Sequence, residues 1–429
     1  MKLKKSNIVL SKEELELAKS ESLRCLSCPK PQCKAACPIE NEIPSFIKAF
    51  KSSNINEAYS ILMEKTCFPD ICSIVCPHEK QCMGHCIRNF KNEPVNIPLI
   101  ERAISELHKE DFVKPTPNGH KFAAIGSGPA SLAFALILAK KGHKVVVYEK
   151  EKYIGGVLKW GIPAFRLPSE KLQKHIEELK SLGVEFVLNY EVGPKHPLDE
   201  LIKEYEGIFI GVGATISNKM RVEGEDFKGV YHCDEFLSKI NLNEPNIDFG
   251  KRILVVGGGN AAMDAARSAI RIADEVNIVY RRSEEEMPAC KAELEDAKSE
   301  GVKFNILTNP VKFIGEDKVS RVECAVMELG EPDESGRRRP VESNKPHIFY
   351  DVDSVVLALG FSNNFALANE AFKLETDKWG AIIVNENNET SIKNVYTGGD
   401  AVRGASTVVL AMKDGINAAK SVLKKYENT

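Results

Sequence analysis

No apolar run in this chain approaches the ~20 residues that a membrane-spanning helix requires. The stretch from Met1 to Lys19 is charged and amphipathic and lacks the apolar h-region of a secretory signal, so a cytoplasmic location is expected. Nor is there an excess of charge. With 58 Lys and Arg against 61 Asp and Glu, the formal charge is -3, which gives no general attraction to nucleic acid or anionic lipid. Basic runs such as Arg337-Arg338-Arg339 follow Glu334, Ser335 and Gly336 and read as a solvated turn. Cysteine is sparse after residue 86, where Cys233, Cys290 and Cys324 are solitary and read as packed thiols. What remains is an ordinary composition over 429 residues, enough for two or three domains with sizeable cores.

Against that background, nine of the twelve cysteines crowd between Cys25 and Cys86. They form two runs, Cys25-x2-Cys28-x4-Cys33-x3-Cys37-Pro38 and Cys72-x3-Cys76-Pro77-x5-Cys82-x3-Cys86, with Cys67 apart. Short alternating spacings closed by Cys-Pro are the pattern of ferredoxin-type ligation, in which the last cysteine of a run crosses to the other cluster. Two 4Fe-4S clusters are therefore expected. Zinc also uses Cys-x2-Cys pairs, but these recur around a longer spacer, and eight or nine thiols exceed one tetrahedral site. Disulfides need an oxidising compartment, to which nothing at the amino terminus points.

Around the cysteines the pattern is helical. Leu15, Ala18 and Ser22, then Ile43, Phe46, Ile47 and Phe50, each make one apolar stripe, so residues 1-115 read as a small helical domain held by its clusters. Lys114 to Gly119 reads as a linker. Beyond it, strands and helices alternate. Phe122 to Ile125 is an expected strand, Gly126-x-Gly128-x-x-Ser131 a glycine turn, Leu132 to Lys141 a helix, and Val145 to Tyr148 a strand closing at Glu149. The unit repeats as Ile253 to Val256, Gly257-x-Gly259-x-x-Ala262, a helix to Ile272 and a strand Val276 to Val279 closing at Tyr280. The interval from second glycine to closing residue is the same in both, which predicts two dinucleotide folds in an α/β chain.

In such turns the first glycine allows the tight bend and the second lets the backbone approach a pyrophosphate at a helix N-terminus, while the third position needs only a small side chain. Glu149 can accept from both hydroxyls of an adenosine ribose, which suits FAD or NAD. Tyr280 stands at the equivalent position of the second unit, followed by Arg281 and Arg282. No carboxylate is there to repel a 2'-phosphate, and guanidinium forks suit one, which favours NADPH. Near the carboxyl terminus, Thr397-Gly398-Gly399-Asp400 follows the strand candidate Val395-Tyr396 and precedes a helix from about Ser406 to Leu423. A helix N-terminus there can stabilise negative charge on a flavin, with Asp400 in the preceding loop bonding a ribityl hydroxyl.

Gly126-Ser-Gly-Pro-Ala-Ser131, Gly155-Gly156, Gly161-Ile162-Pro163-x-Phe165-Arg166-Leu167-Pro168, Gly257-Gly-Gly-Asn-x-x-Met263-Asp264, Arg281-Arg282-x4-Met287-Pro288-Ala289 and Gly398-Gly399-Asp400-x3-Gly404-Ala405-x-Thr407-Val408 together resemble the small subunit of NADPH-dependent glutamate synthase over nearly the whole chain. The same module resembles the N-terminal half of dihydropyrimidine dehydrogenase and the large subunit of NADH-dependent ferredoxin:NADP oxidoreductase. The resemblance implies two Rossmann-like domains of adrenodoxin-reductase type, the NADP domain (241-362) inserted in the FAD domain (116-240 and 363-429), behind an all-α iron-sulfur domain. Its implied cofactor residues are Gly126, Gly128, Pro129, Ala130, Glu149, Gly156, Ile162, Arg166, Val192, Gly399, Asp400, Thr407 and Val408, with Gly257, Gly259, Asn260, Ala261, Arg281 and Arg282 for the nicotinamide nucleotide. Arg166 is placed near a cluster or the flavin, with a structural ion pair as the alternative. The resemblance also rearranges the metal ligands. Cys25, Cys28 and Cys33 join Cys86, while Cys37 joins Cys76, Cys82 and a non-cysteine ligand after Pro94-Val-Asn-Ile97, which points to Glu101. Spacing alone would choose Cys72.

The implied reaction needs no general base. NADPH gives two electrons as hydride, an iron-sulfur cluster accepts one at a time, and a flavin does both. Electrons are expected to pass from NADPH to FAD, then singly through two clusters to an acceptor outside this chain. That acceptor is the FMN-bearing large subunit of a glutamate synthase, a pyrimidine-reducing subunit or a ferredoxin-linked subunit, which makes a hetero-oligomer the expected assembly. Disulfide reduction is disfavoured by the solitary late cysteines. A metal-stabilised binding module without redox activity is disfavoured by the intact glycine turns.

Overall fold

The amino-terminal helices form where apolar stripes and capping residues place them. The helix α1 (Lys12–Arg24) starts on a capping box in which Ser11 and Glu14 satisfy each other's backbone N–H groups. After the single turn α2 (Gln32–Ala35), α3 (Ile43–Lys51) buries the expected Ile43, Phe46, Ile47 and Phe50. Asn54 and Asn96 cap α4 (Ile55–Met63) and α6 (Ile97–Leu107), and between these lies the almost wholly buried α5 (Pro69–Val75). These elements come from a computed structural model that describes residues 9–91, 93–109, 114–334, 336–364 and 366–426. Among the described residues, no helix is long and apolar enough to cross a membrane.

Beyond α6 the chain runs through β1 (Lys121–Ile125), α7 (Pro129–Ala139), β2 (Lys144–Tyr148), α8 (Val157–Trp160), α9 (Ser169–Ser181), β3 (Glu185–Val187), α10 (Leu198–Glu204), β4 (Gly207–Ile210) and the short β5 (Ile216–Ser217). A second alternating stretch follows, with β6 (Val230–His232), α11 (Cys233–Asn241), β7 (Arg252–Val256), α12 (Asn260–Ala269), β8 (Glu275–Tyr280), α13 (Lys291–Ser299) and β9 (Lys303–Ile306). Then come β10 (Thr308–Gly315), β11 (Val319–Pro332), β12 (Arg338–Glu342), β13 (Ile348–Asp351), β14 (Ser354–Leu357), β15 (Phe361–Ser362), β16 (Val395–Thr397), α14 (Asp400–Arg403) and α15 (Val408–Tyr426).

Two compact units result, one made of residues 9–159, 166–216 and 362–426, the other of 160–165 and 217–361. In the larger unit, a parallel sheet of order β16-β4-β1-β2-β3 is covered by helices, and its central strands are accordingly unbroken apolar runs. The apolar α7 packs tightly on α15, where a side chain at Gly415 would meet the Ala130 carbonyl oxygen at 2.0 Å. In the smaller unit a second parallel sheet, β6-β14-β7-β8-β9, repeats this arrangement, and β10 to β13 form an antiparallel layer.

The strand β6 pairs with β14, so the smaller compact unit takes in residues from 217, ahead of the expected 241. The cysteine-rich helices pack into the larger unit with the first sheet. Buried polar contacts explain the union. His175 Nε2 on α9 meets Asp70 Oδ1 on α5 at 2.5 Å, His175 Nδ1 meets Glu178 Oε2 at 3.2 Å, and Lys171 Nζ on α9 bonds Glu106 Oε1 on α6 at 2.8 Å. Met412 Sδ on α15 receives the Cys67 backbone N–H at 3.3 Å and the Thr66 hydroxyl at 3.5 Å.

Burial opposes charge on both members of the first pair, yet each holds the other ionised. Asp70 is lowered to about 2 by His175, and His175 is raised to about 9 by Asp70 and Glu178. Because the imidazole's pKa is raised on folding, its contribution is complete below about 6.5 and is lost as pH rises through about 9. The carboxyl contribution is complete above its ordinary 3.8 and is lost as pH falls through about 2. Asp70→Asn should cost ~3–5 kcal/mol by leaving a buried partner uncompensated. It should also move the alkaline fall in melting temperature to lower pH, which thermal melts from pH 6 to 10 would follow.

Candidate functional site

The glycine turn after β1 leaves no room for a side chain at its first position. Gly126 has a φ of +86°, and a Cβ there would lie 2.6 Å from the Gly211 carbonyl oxygen. Gly128 then caps α7 in extended conformation, with Pro129 at the first helical position and Ala130 behind it. Ser131, at the third position, is fully buried against Gly211, which is the packing role expected of it. At the end of β2, Glu149 accepts from Ser127 N–H at 2.8 Å, Ser127 Oγ at 2.6 Å and Glu151 N–H at 2.9 Å. The carboxylate thus fastens the glycine turn itself, an organising contact that the sequence does not reveal.

Two distant segments converge on this turn. Ser127 Oγ accepts from Gly155 N–H at 3.0 Å, and a Cβ on Gly156 would come within 2.9 Å of Gly128 Cα. From the carboxyl end, Gly399 lies where a Cβ would be 3.4 Å from that of Ala130, and its N–H is held by Asp414 at 2.7 Å. Asp400 is not in a loop but opens α14, because the positive φ of Gly399 turns the chain straight into a helix. Burial raises the Asp400 carboxyl, and its Oδ1 takes Ser406 N–H at 3.1 Å. Thr407 precedes α15, which begins at Val408, and the Thr407 Oγ1 is buried with no hydrogen-bond partner.

Other expected residues lie elsewhere. The side chain of Val192 is in the core with Ile125 and Tyr148. Arg166 is half-buried shortly before α9, and Ile162 belongs to the smaller unit.

In the smaller unit Gly257 and Gly259 repeat the turn between β7 and α12, and Gly257 N–H bonds Val279 O as Gly126 N–H bonds Tyr148 O. Asn260 Oδ1 takes the Cys290 N–H at 2.8 Å and Gly258 O takes the Ala289 N–H at 3.1 Å, which ties Met287-Pro288-Ala289 over the turn. Ala261 O accepts from the buried Cys233 thiol at 3.5 Å. The two arginines after β8 separate. Arg281 is exposed, whereas Arg282 is buried, with Nη2 on Asp333 Oδ2 and Nε on Arg338 O, both at 2.7 Å. Arg338 and Arg339 stand on β12 rather than in a solvated turn, and Arg338 Nε meets Glu286 at 2.6 Å.

The cysteines fall into two groups. Cys25, Cys28, Cys33 and Cys86 line a single cavity with Leu26, Ile87, Arg88 and Val95. In the other group, Cys76 feels Cys72, Glu101 and Cys82, and Cys82 feels Glu101 and Cys37. Burial raises the thiols of Cys25, Cys37 and Cys82 and takes Cys33 to about 11, while the hydrogen bond with Cys72, and then burial, raises Cys76. Cys72 goes the other way, lowered by its hydrogen bond with Cys76, and Thr66 Oγ1 stands 3.7 Å from its sulfur. Glu101, only 8% exposed, is raised by burial and by Cys72 and Asp70.

Among the described residues no three Cys, His, Asp or Glu side chains close on a single ion. A four-iron cluster takes each ligand on a different iron and so holds them further apart. A carboxyl group and several thiols buried together is a costly donor set that a cationic cluster would relieve, and the residues fit one. The orphaned Thr407 hydroxyl and the glycine-walled turn likewise fit a nucleotide. Cys67, whose thiol burial pushes up to about 12, and Cys324, also about 12 and fully buried in β11, are packing residues.

Residues 120–415 match the family model described as pyridine nucleotide-disulphide oxidoreductase, and residues 2–112 match dihydropyrimidine dehydrogenase domain II, 4Fe-4S cluster. The glutamate synthase [NADPH] small chain of Escherichia coli is 37% identical over 96% of this chain and 92% of its own. The NADP(+)-dependent formate dehydrogenase subunit beta of Moorella thermoacetica is also 37% identical, over 91% of this chain and 59% of its own. Among solved structures, FprA from Mycobacterium tuberculosis in complex with NADPH shares the fold, with a TM-score of 0.62, 21% identity, and coverage of 72% of this chain and 85% of that one. With a FAD- and NADPH-binding fold behind a 4Fe-4S domain, the chain belongs to the pyridine nucleotide-disulphide oxidoreductase family, among the NADPH-dependent flavin and iron-sulfur enzymes that include the glutamate synthase small chain.

Proposed function

We propose that this chain is the cytoplasmic electron-input subunit of a glutamate synthase-type complex, taking two electrons from NADPH and delivering them singly to a partner subunit. The observation that carries the reading is the path along α15. Ala411 and Gly415 of this helix lie against Gly399 and Ala130 at the glycine turn, and Met412 between them touches Thr66 and Cys67 beside the Cys72–Cys76 thiol pair. Flavin site and cysteine block are thus joined through one packed helix.

The residues divide the work by chemistry. Gly126 to Ala130 and the N-terminus of α7 hold the FAD pyrophosphate, with Glu149 stiffening the turn and bonding the ribose. Thr407, Val408 and Asp400 orient the ring end. FAD, when bound, accepts a hydride and releases electrons one at a time. Cys25, Cys28, Cys33 and Cys86 hold one 4Fe-4S cluster, and Cys37, Cys76, Cys82 and Glu101 hold the second. Glu101 is preferred to Cys72 on the family resemblance, and it stands buried beside Cys76 and Cys82. No side chain moves a proton, so no catalytic acid or base is assigned. The partner is a large chain that bears its own one-electron centre. Purified chain mixed with the large chain of the E. coli enzyme should support NADPH-dependent formation of glutamate from glutamine and 2-oxoglutarate. Reduction of an artificial dye without that coupling would point to a different acceptor.

Of the two arginines, Arg281 is assigned to the 2'-phosphate and Arg282 to the Asp333 pair that holds β12 against it. Losing one charge-assisted bond of ~1.5–3 kcal/mol corresponds to a factor of about 10–150. Arg281→Ala should therefore raise the KM for NADPH by about that factor in a dye assay and leave the KM for NADH unchanged. An unchanged NADPH KM would remove Arg281 from the site.

A further inference from the structure

The two parallel sheets match strand for strand. The orders β16-β4-β1-β2-β3 and β6-β14-β7-β8-β9 put the glycine-turn strands β1 and β7 in the same place, with β4 answering β14 and β16 answering β6. The registers agree as well. Ile125, just before Gly126, pairs with Ile210 and through it with Thr397, while Val256, just before Gly257, pairs with Leu357 and through it with His232. His232 therefore stands in the smaller unit where Thr397 stands in the larger. The residues that follow correspond too. Gly399 sits against Ala130, two positions after the capping Gly128, and the Cys233 thiol bonds the carbonyl of Ala261, two positions after the capping Gly259.

The two side chains differ in one respect. Thr397 is fully buried, and its hydroxyl donates to Ile210 O at 2.7 Å. His232, the residue before α11, makes no side-chain capping bond and keeps a buried Nδ1 with no hydrogen-bond partner. Its neighbours are already engaged, since Tyr231 packs on Phe249 in the core, the Cys233 thiol is on Ala261 and Asp234 Oδ1 takes the Ser217 hydroxyl at 2.6 Å. Leaving a buried ring nitrogen unpaired costs free energy, and at the carboxyl edge of the sheet a bound ligand is what relieves it.

In a doubly wound sheet a dinucleotide lies across the carboxyl ends of the strands with its pyrophosphate at the glycine turn. With Arg281, after β8, assigned to the 2'-phosphate, the adenosine half covers the β8 side and the other half runs over β14 and β6. We infer that His232 is a binding residue for the nicotinamide half of NADPH, with Nδ1 hydrogen-bonded to the polar groups of the nicotinamide riboside. The inference rests on the NADPH reading above and adds the side chain that holds the nicotinamide half. That half is common to NADPH and NADH, so His232 adds affinity for both, whereas Arg281 tells them apart.

Titration calorimetry of the holoprotein with NADP+ and with 2',5'-ADP, which lacks the nicotinamide half, tests this. His232→Leu should weaken NADP+ binding by a factor of about 2–12, the loss of one neutral hydrogen bond, and leave 2',5'-ADP binding unchanged. His232→Asn, whose amide can take the place of Nδ1, should recover the NADP+ affinity. In a dye assay His232→Leu should raise the KM for NADPH and for NADH by the same factor, with flavin and iron contents unchanged. NADP+ affinity that His232→Leu leaves unchanged, or that His232→Asn does not recover, overturns the inference. An equal loss for NADP+ and 2',5'-ADP also overturns it, because the imidazole would then act through the packing of the turn. Failure of the NADPH reading would show differently, as an unsubstituted protein that binds neither ligand or as 2',5'-ADP binding that Arg281→Ala does not weaken. Either of these removes the orientation on which the role of His232 stands and overturns the inference with it.

Discussion

Cys33→Ser should leave the flavin in place, remove about half of the iron, and lower electron delivery to a protein acceptor by at least a hundredfold while NADPH-to-dye turnover continues. The reasoning is spatial. Cys33 lines a cavity with Cys25, Cys28 and Cys86, and no residue of the glycine turn after β1 is among its lining. Serine is nearly isosteric but a poor ligand for iron, so the fold is kept and the cluster is lost. Glu101→Ala gives the complementary result, loss of the other half of the iron, whereas Cys72→Ala should retain it. Iron loss confined to the Cys72 variant would replace Glu101 with Cys72 as ligand. Iron and sulfide analysis beside dye and protein-acceptor assays reads all three variants.

Gly126→Ala should have the opposite phenotype, with iron retained and flavin lost. An added methyl would stand 2.6 Å from the Gly211 carbonyl oxygen, a distance real Cβ contacts do not show, on a backbone with φ of +86°. Both obstacles act on the turn that is to hold the pyrophosphate, because Glu149 fastens that turn through Ser127. The strain is of order 1–3 kcal/mol, small against a whole domain but concentrated where a phosphate must approach the backbone. Purified variant should carry the cluster absorbance without flavin fluorescence on denaturation, and show no NADPH oxidation with any acceptor. Full flavin content would mean that the turn relaxes and that the cradle lies elsewhere.

Local chemistry made much of this legible in advance. Glycine turns between strand and helix leave a regular signature, and both appear where the spacing put them, with Gly128 and Gly259 capping α7 and α12. The grouping of Cys86 with Cys25, Cys28 and Cys33 is what the family resemblance implies, and these four cysteines line one cavity. Non-local partners were not legible. Asp70 and His175 are separated by 105 positions, and nothing near either residue names the other. Arg281 and Arg282 look equivalent in sequence, yet in the bend after β8 one lies exposed and the other is buried on Asp333, 51 residues on. The boundary at residue 217 depends on β6 pairing with a strand more than a hundred residues later, which no local composition shift marks.

The central claim is that NADPH electrons cross from a flavin to two clusters within this one chain. Anaerobic addition of NADPH to the holoprotein, followed by optical absorbance and by electron paramagnetic resonance after freezing, tests it directly. The account predicts about eight iron atoms per chain, bleaching of the flavin, and a reduced-cluster signal that Cys33→Ser and Glu101→Ala each diminish. A flavin that bleaches while no cluster signal ever develops, or a pure protein that is colourless and free of iron, would contradict it.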